Sequence, residues 1–249
     1  MSEIFDIQQF IDKKHGGLLA ANQTAQQQKI AIIADNLTRS NIPGAKEGKV
    51  HFKEYVQKTP EGERMSFMMI NNIDFDQTQG GLKQTGSFTD FAINGNGYFK
   101  VETLKGNAYT RNGQFFLSSD GSLITSDGGF VLSENGDHIK IPSNKKNIHV
   151  SDKGIISADG QILSKIGVVS FENASNFKYQ GNSIFTTPDA EEEFKGSVIH
   201  KALENSNVSA ISQIVEMTKT QRNFESTQKM IDEMEKTTKR TVNVSPKKG

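Results

Sequence analysis

Residues 90–115, DFAINGNGYFKVETLKGNAYTRNGQF, decide the reading of this chain. Asn94-Gly95, Asn96-Gly97 and Asn112-Gly113 interrupt short β-prone runs, FAI, YFKV and the stretch before Arg111. Asn and Gly tolerate positive φ, so these dipeptides close tight hairpins. The texture continues outward through Gly80-Gly81, Asp120-Gly121, Asp127-Gly128, Asn135-Gly136 and Asp159-Gly160. Turn signals every ~7–12 residues predict an all-β unit of hairpins over 76–195, not a parallel sheet with crossover helices.

On either side the period changes. Residues 15–42 and 205–240 read as helix, so the fold expected is α+β. In it the N- and C-terminal helices pair into a coiled-coil-like α-domain with the all-β domain inserted between them. On the first helix Leu19, Ile30, Ile33 and Leu37 share a face, with Gln23 and Gln26 filling the gaps. Pro43-Gly44 is expected to stop it. On the last, Ala210, Ile214, Met217, Phe224 and Ile231 form the stripe, Gln221 and Gln228 take alternate positions, and Ser206 or Asn207 is the expected N-cap. Both stripes are narrow, as in a coiled-coil seam, whereas a helix resting on a globular core shows a wider apolar face. The boundaries expected are a helical segment over 1–45, a connector over 46–75 with strand-like residues 66–70, the β domain, a helical segment over 196–240 and a basic tail over 241–249. Residues 1–14 read as a short amphipathic piece broken at Gly16-Gly17.

Composition narrows the function. Only 34% of the 249 residues are hydrophobic, so the core is small and part of the chain is left for interfaces. Twenty-nine basic residues balance twenty-nine acidic ones, which suits self-association and argues against nucleic acid as a partner. Without cysteine there is no thiol catalysis and no Cys-based metal site. The five histidines lack metal-ligand spacing, so no metal and no cofactor is expected. Asp120, Asp127 and Asp159 precede glycine, where Asp belongs to the turn, and this outweighs a paired-carboxylate enzyme site. Asn94-Gly95-Asn96-Gly97 is followed by Tyr98, Phe99 and Val101 instead of a helix, so it is a turn and not a phosphate cradle. No catalytic residue and no small-molecule substrate is expected. No apolar run reaches the ~20 residues of a membrane span, and MSEIFDIQQFIDKK lacks the pattern of a cleaved signal. Lys236, Lys239, Arg240, Lys247 and Lys248 read as a solvated tail.

Several stretches taken in order resemble the bacterial flagellar rod and hook axial proteins. They are QKIAIIADNLTRSNIPGAK at 28–46, Gly81-Leu82 with Thr85-Gly86, DFAINGNGYFKV at 90–101, AYTRNGQF at 108–115, LENSNV at 203–208 and QRNFE at 221–225. Ala45 departs from the aromatic residue usual there. About 45 residues separate Pro43-Gly44 from the DFAINGNGYF stretch. That short span resembles the proximal-rod type, the distal-rod and hook relatives carrying longer insertions. The resemblance implies a non-enzymatic structural subunit of the periplasmic rod of the flagellar basal body, assembling helically to transmit torque. It further implies export by the flagellar type III apparatus without a cleaved signal, with other rod proteins as partners. The assembly interface expected comprises Leu19, Ile30, Ile33, Leu37, Asn41, Leu203, Asn207, Ile214, Met217, Gln221, Arg222, Phe224 and Ile231. Arg111 either contacts an adjacent subunit or lies along the β-domain surface. The alternatives are a distal-rod subunit, a secreted β-domain binding module with helical stalks, and an enzyme on a β scaffold.

Overall fold

A computed structural model describes residues 2–58, 64–142, 148–172 and 176–244, with side-chain placement for 21–53, 56, 70–142, 148–172, 176–234 and 236–237. The described chain is α+β, with a helix at each end and strands between. It divides into a helical unit, 1–37, 48–74 and 210–249, and a β unit, 38–47 and 75–209.

The helical unit contains α1 (Ser2–Arg39), the paired strands β1 (Gly48–Lys58) and β2 (Arg64–Phe75), and α2 (Ala210–Val244). The helix α1 runs through Gly16-Gly17 without a break. Each glycine weakens a helix interior by about 1 kcal/mol, which lowers stability without stopping the helix. The expected connector at 46–75 is thus a long strand pair, and its turn at Pro60–Gly62 lies outside the described residues. Asn36 ties the end of α1 to β1: its Nδ2 donates to the Gly48 carbonyl and its Oδ1 accepts from the Gly48 N–H, both at 2.8 Å.

The β unit holds β3 (Leu82–Gln84), β4 (Phe91–Asn94), β5 (Tyr98–Thr103), β6 (Gly106–Thr110), β7 (Phe116–Leu117), β8 (Leu123–Ile124), β9 (Phe130–Val131), β10 (Ile148–Val150) and β11 (Ile155–Ala158). It continues with β12 (Gln161–Lys165), β13 (Val168–Ser170), β14 (Lys178–Gly181), β15 (Ile184–Thr186), β16 (Glu192–Glu193), β17 (Ser197–His200) and β18 (Ala202–Glu204). The largest sheet runs β14-β15-β6-β5-β9-β8-β7, with β13 and β16 joined through β5. Smaller sheets are β10-β11-β12, β17-β4 and β18-β3. Their registers are antiparallel, as the hairpin signals require.

Strand β5 shows why the core is double. Side chains alternate between faces, so Phe99 and Val101 enter a large hydrophobic core with Phe91, Phe115, Leu123 and Ile156. Tyr98 enters a second cluster with Tyr109, Val169 and Phe171. Residues 189–200, expected as an acidic connector, form β16 and β17, the latter paired with β4 from Ser197↔Asn94 to His200↔Phe91.

Candidate assembly site

The segment Pro43–Lys46 is the first place where the resembling stretches meet. Gly44 has φ +66°, and a Cβ there would lie 2.3 Å from the Arg111 carbonyl carbon. Only glycine fits, because an L side chain would meet both the left-handed backbone penalty and that clash. The Gly44 N–H donates to the Glu204 carbonyl at 2.8 Å, and Arg39 Nη1 donates to the Lys46 carbonyl at 2.6 Å. These bonds carry Lys46 inside, to 0% exposure.

There Lys46 Nζ meets Glu204 Oε1 at 2.8 Å and donates to the Thr78 carbonyl at 2.7 Å. Arg111 Nη1 reaches Glu204 Oε2 at 3.3 Å, and its guanidinium lies 5.0 Å from the Tyr98 ring centroid. Glu204 Oε1 also accepts the Gly80 N–H at 3.0 Å. Two cations therefore share one carboxylate in a dry interior. Burial, the largest influence, holds the Lys46 amine below its ordinary range against the opposing pull of Glu204. Burial likewise pushes the Tyr98 phenol up to about 12.

Three expectations are corrected here. Arg111 is 2% exposed, so it neither faces a neighbour nor lies along the surface; its charge is spent internally on Glu204. Leu203 is 8% exposed within β18 and so is buried in the β unit's own fold. Asn207 is not an N-cap, since α2 begins at Ala210 after Ser209. Its Oδ1 accepts the Glu47 N–H at 2.8 Å and its Nδ2 donates to the Asp76 and Thr78 carbonyls at 2.8 and 3.0 Å. The acid and base at the centre, Glu204 and Lys46, were missed as a pair although both lie in the quoted stretches. Their separation of 158 residues leaves no local signal.

The helices carry the other surface. Along α2 the inward positions are Gln213, Met217, Thr220, Phe224, Thr227, Ile231 and Met234, spaced alternately by four and three. Gln213, Thr220 and Thr227 are the most buried of these, at 5%, 3% and 7%. Met217, Phe224 and Ile231 thus stand on the expected face, half-buried. Ile214 does not: it is exposed, as are Gln221 and Arg222. Choosing the stripe by apolarity selects Ile214, one residue and ~100° away from the true position Gln213.

On α1, Ile33 is buried, Ile30 and Leu37 are half-buried and Asn41 beyond the helix is exposed; the Leu19 side chain lies outside the described residues. Contacts that join the helices among the described residues include Gln23 to Gln228, Lys29 to Glu216, and Asn36 Nδ2 to Gln213 Oε1 at 3.3 Å. Numbers rise along one helix as they fall along the other, so the two run in opposite directions. The Lys29 bond holds the Glu216 carboxyl below its ordinary range. Ile211, Ile214 and Val215 project outward at 78%, 53% and 49% exposure.

Among the described residues no group of three His, Asp or Glu side chains is placed to hold a metal ion. No described helix is long and apolar enough to cross a membrane.

Comparison with known proteins accounts for both halves of this arrangement. Residues 92–158 match the family described as the flagellar hook protein FlgE/F/G D1 domain. Residues 200–244 match the flagellar basal body rod FlgEFG protein C-terminal family. The flagellar basal-body rod protein FlgF of Caulobacter vibrioides is 31% identical over 219 residues, covering 85% of this chain and 89% of its own. The flagellar basal-body rod protein FlgG of Bacillus subtilis is 30% identical over 247 residues, covering 88% and 94%. FlgF of Rhizobium meliloti is 27% identical over 209 residues, covering 82% and 86%. From the buried Gly44–Lys46 junction to the inward row of α2, the chain belongs to the flagellar basal-body rod protein family, whose members are structural proteins and not enzymes.

Proposed function

We propose that this chain is an axial subunit of the proximal rod, one whose two helices pair as an antiparallel coiled coil and finish their packing on neighbouring rod subunits. The outward row Ile211, Ile214 and Val215 is the observation that carries this reading. A helix that displays two isoleucines and a valine in its first two turns has an apolar patch still to cover. Covering one such side chain contributes about 1.5–3 kcal/mol, less the cost of ordering the partners. The half-buried Met217, Phe224 and Ile231 stand on the opposite, inward row and belong to the helix pairing in this reading, apart from the outward patch.

FlgF and FlgG relatives match at nearly equal identity, so the proximal reading rests on the short span between Pro43-Gly44 and Asp90. Partners in this reading are further copies, other rod proteins and the flagellar export apparatus. The location is the periplasmic rod, reached without a cleaved signal. The test is Ile211→Asp/Ile214→Asp in cells lacking the native chain. Both positions are exposed, so the variant should fold, yet it should be absent from purified basal bodies and the cells should not swim. Normal rods and normal motility would remove the helix face from the interface.

A further inference from the structure

Within the β unit, the β4–β17 ribbon has chemically opposite ends. At one end His200 faces Phe91, and the chain turns through Lys201. The Lys201 carbonyl accepts the Thr85 and Gly86 N–H groups at 2.8 and 3.3 Å, which holds the exposed stretch 81–88 beside it. Lys83 and Lys201 are exposed there, and Phe88 is 40% exposed. The antiparallel bridge between Asp90 and Gln114 brings Phe116, 45% exposed, to the same edge. This end is basic and aromatic.

At the other end Ser197 faces Asn94, and the chain arrives from Glu192 and Glu193 through Phe194, whose ring lies against Gly97 and Gly196. A cleft of about 580 Å³ opens beside them. Five carboxylates and three lysines line it. Two of those lysines are engaged, Lys100 by Glu191 at 2.9 Å and Lys165 by Glu134 at 2.6 Å. Glu192 and Glu193 stand exposed at its rim. This end is acidic and concave.

We propose that the lysine-and-phenylalanine edge of one copy seats in the acidic cleft of a second copy, Phe88 toward Phe194 and Lys83 and Lys201 toward Glu192 and Glu193. Charge complementarity identifies the occupant: the chain is neutral overall, and the charge missing at one end is displayed at the other. Two different patches meeting head to tail form a heterologous contact, which leaves a free patch at each end and so continues as a filament. The inference rests on the axial-assembly reading and gives it a surface separate from the helices.

The chain has no cysteine, so Lys83→Cys/Glu192→Cys introduces its only two thiols, both at exposed sites. Oxidised in isolated basal bodies, and separately as purified chain at high concentration, the double variant should give a ladder of dimers, trimers and longer products. Each single variant should stay monomeric. Products ending at the dimer, a crosslink inside one copy, or a bond to a different rod protein would each overturn the contact. Absence of a ladder while the chain is present in basal bodies would sink the contact and spare the rod reading. Absence of the chain from basal bodies would sink the rod reading, and the purified chain would still decide the contact. Charge reversal supplies a second arm. Lys83→Glu and Glu192→Lys should each lower recovery of the chain in basal bodies severalfold, and the two together should restore it; failure of the pair to rescue counts against the proposal.

Discussion

Glu204→Gln is the most informative single change in the β unit. The native cluster places Lys46 and Arg111 on one carboxylate, with all three side chains at 0–2% exposure. Removing the negative charge leaves two buried cations facing an amide that can accept from only one of them. Breaking a buried pair from one side costs about 3–5 kcal/mol, because the remaining charge keeps its desolvation penalty. Lys46→Met removes a charge from the same cluster with the opposite result, leaving Arg111 and Glu204 matched one to one. The Thr78 carbonyl is not orphaned, since Asn207 Nδ2 still donates to it at 3.0 Å. That variant should cost only about 1–2 kcal/mol. Urea unfolding measures both, followed by near-ultraviolet tyrosine signal, because the chain has no tryptophan and Tyr98 and Tyr109 are 1% and 8% exposed. With m near ~2 kcal/mol per molar in urea, Glu204→Gln should lower the midpoint by about 2 M and Lys46→Met by less than half of that. Equal losses, or a larger loss for Lys46→Met, would refute the view that surplus positive charge governs this site.

Three further outcomes follow from the same geometry. Gly44→Ala should lose at least about 2 kcal/mol in the same assay, from the +66° backbone and the Arg111 carbonyl that a Cβ would strike; unchanged stability would show that the Pro43–Lys46 turn is free to move. Stability should fall as pH climbs from 10 to 12, because the folded state keeps the Tyr98 proton up to about 12 while the unfolded chain releases it near 10.0; for Tyr98 the slope is about 1.4 kcal/mol per pH unit. Burial and then the Glu191 hydrogen bond shift Tyr109 the same way, so Tyr98→Phe should flatten the alkaline limb of a pH-dependent melt without abolishing it. Thr220→Val with Thr227→Val should raise the helical melt seen by far-ultraviolet circular dichroism, by about 1 kcal/mol, since both side chains are buried; a lower melting temperature would contradict the seam.

How much of this was written in the sequence depends on how far apart the deciding atoms lie. Asp159-Gly160 announced the β11–β12 hairpin, and both residues do take positive φ, 50° and 80°. Gly181, Asn182 and Ser183 turn β14 into β15 at φ 100°, 49° and 59°; here the glycine precedes the asparagine, so a reading by Asn-Gly and Asp-Gly pairs passes over it. The buried ion cluster was less legible still. Lys46, Arg111 and Glu204 read as ordinary surface charges, because only the folded registers of three distant segments put them in one dry space. The polar members of the inward row of α2 hid for a different reason. Hydropathy scores threonine by its hydroxyl, but Thr220 Oγ1 donates to the Glu216 carbonyl and Thr227 Oγ1 to the Asn223 carbonyl, each at 2.9 Å within the same helix. A hydroxyl satisfied by its own backbone asks nothing of the facing helix, so at those positions threonine presents only its methyl and packs as a small β-branched apolar residue. The inward row of α2 therefore looks polar at every second position, Gln213, Thr220 and Thr227, while Ile211 and Ile214, which look like core, face outward.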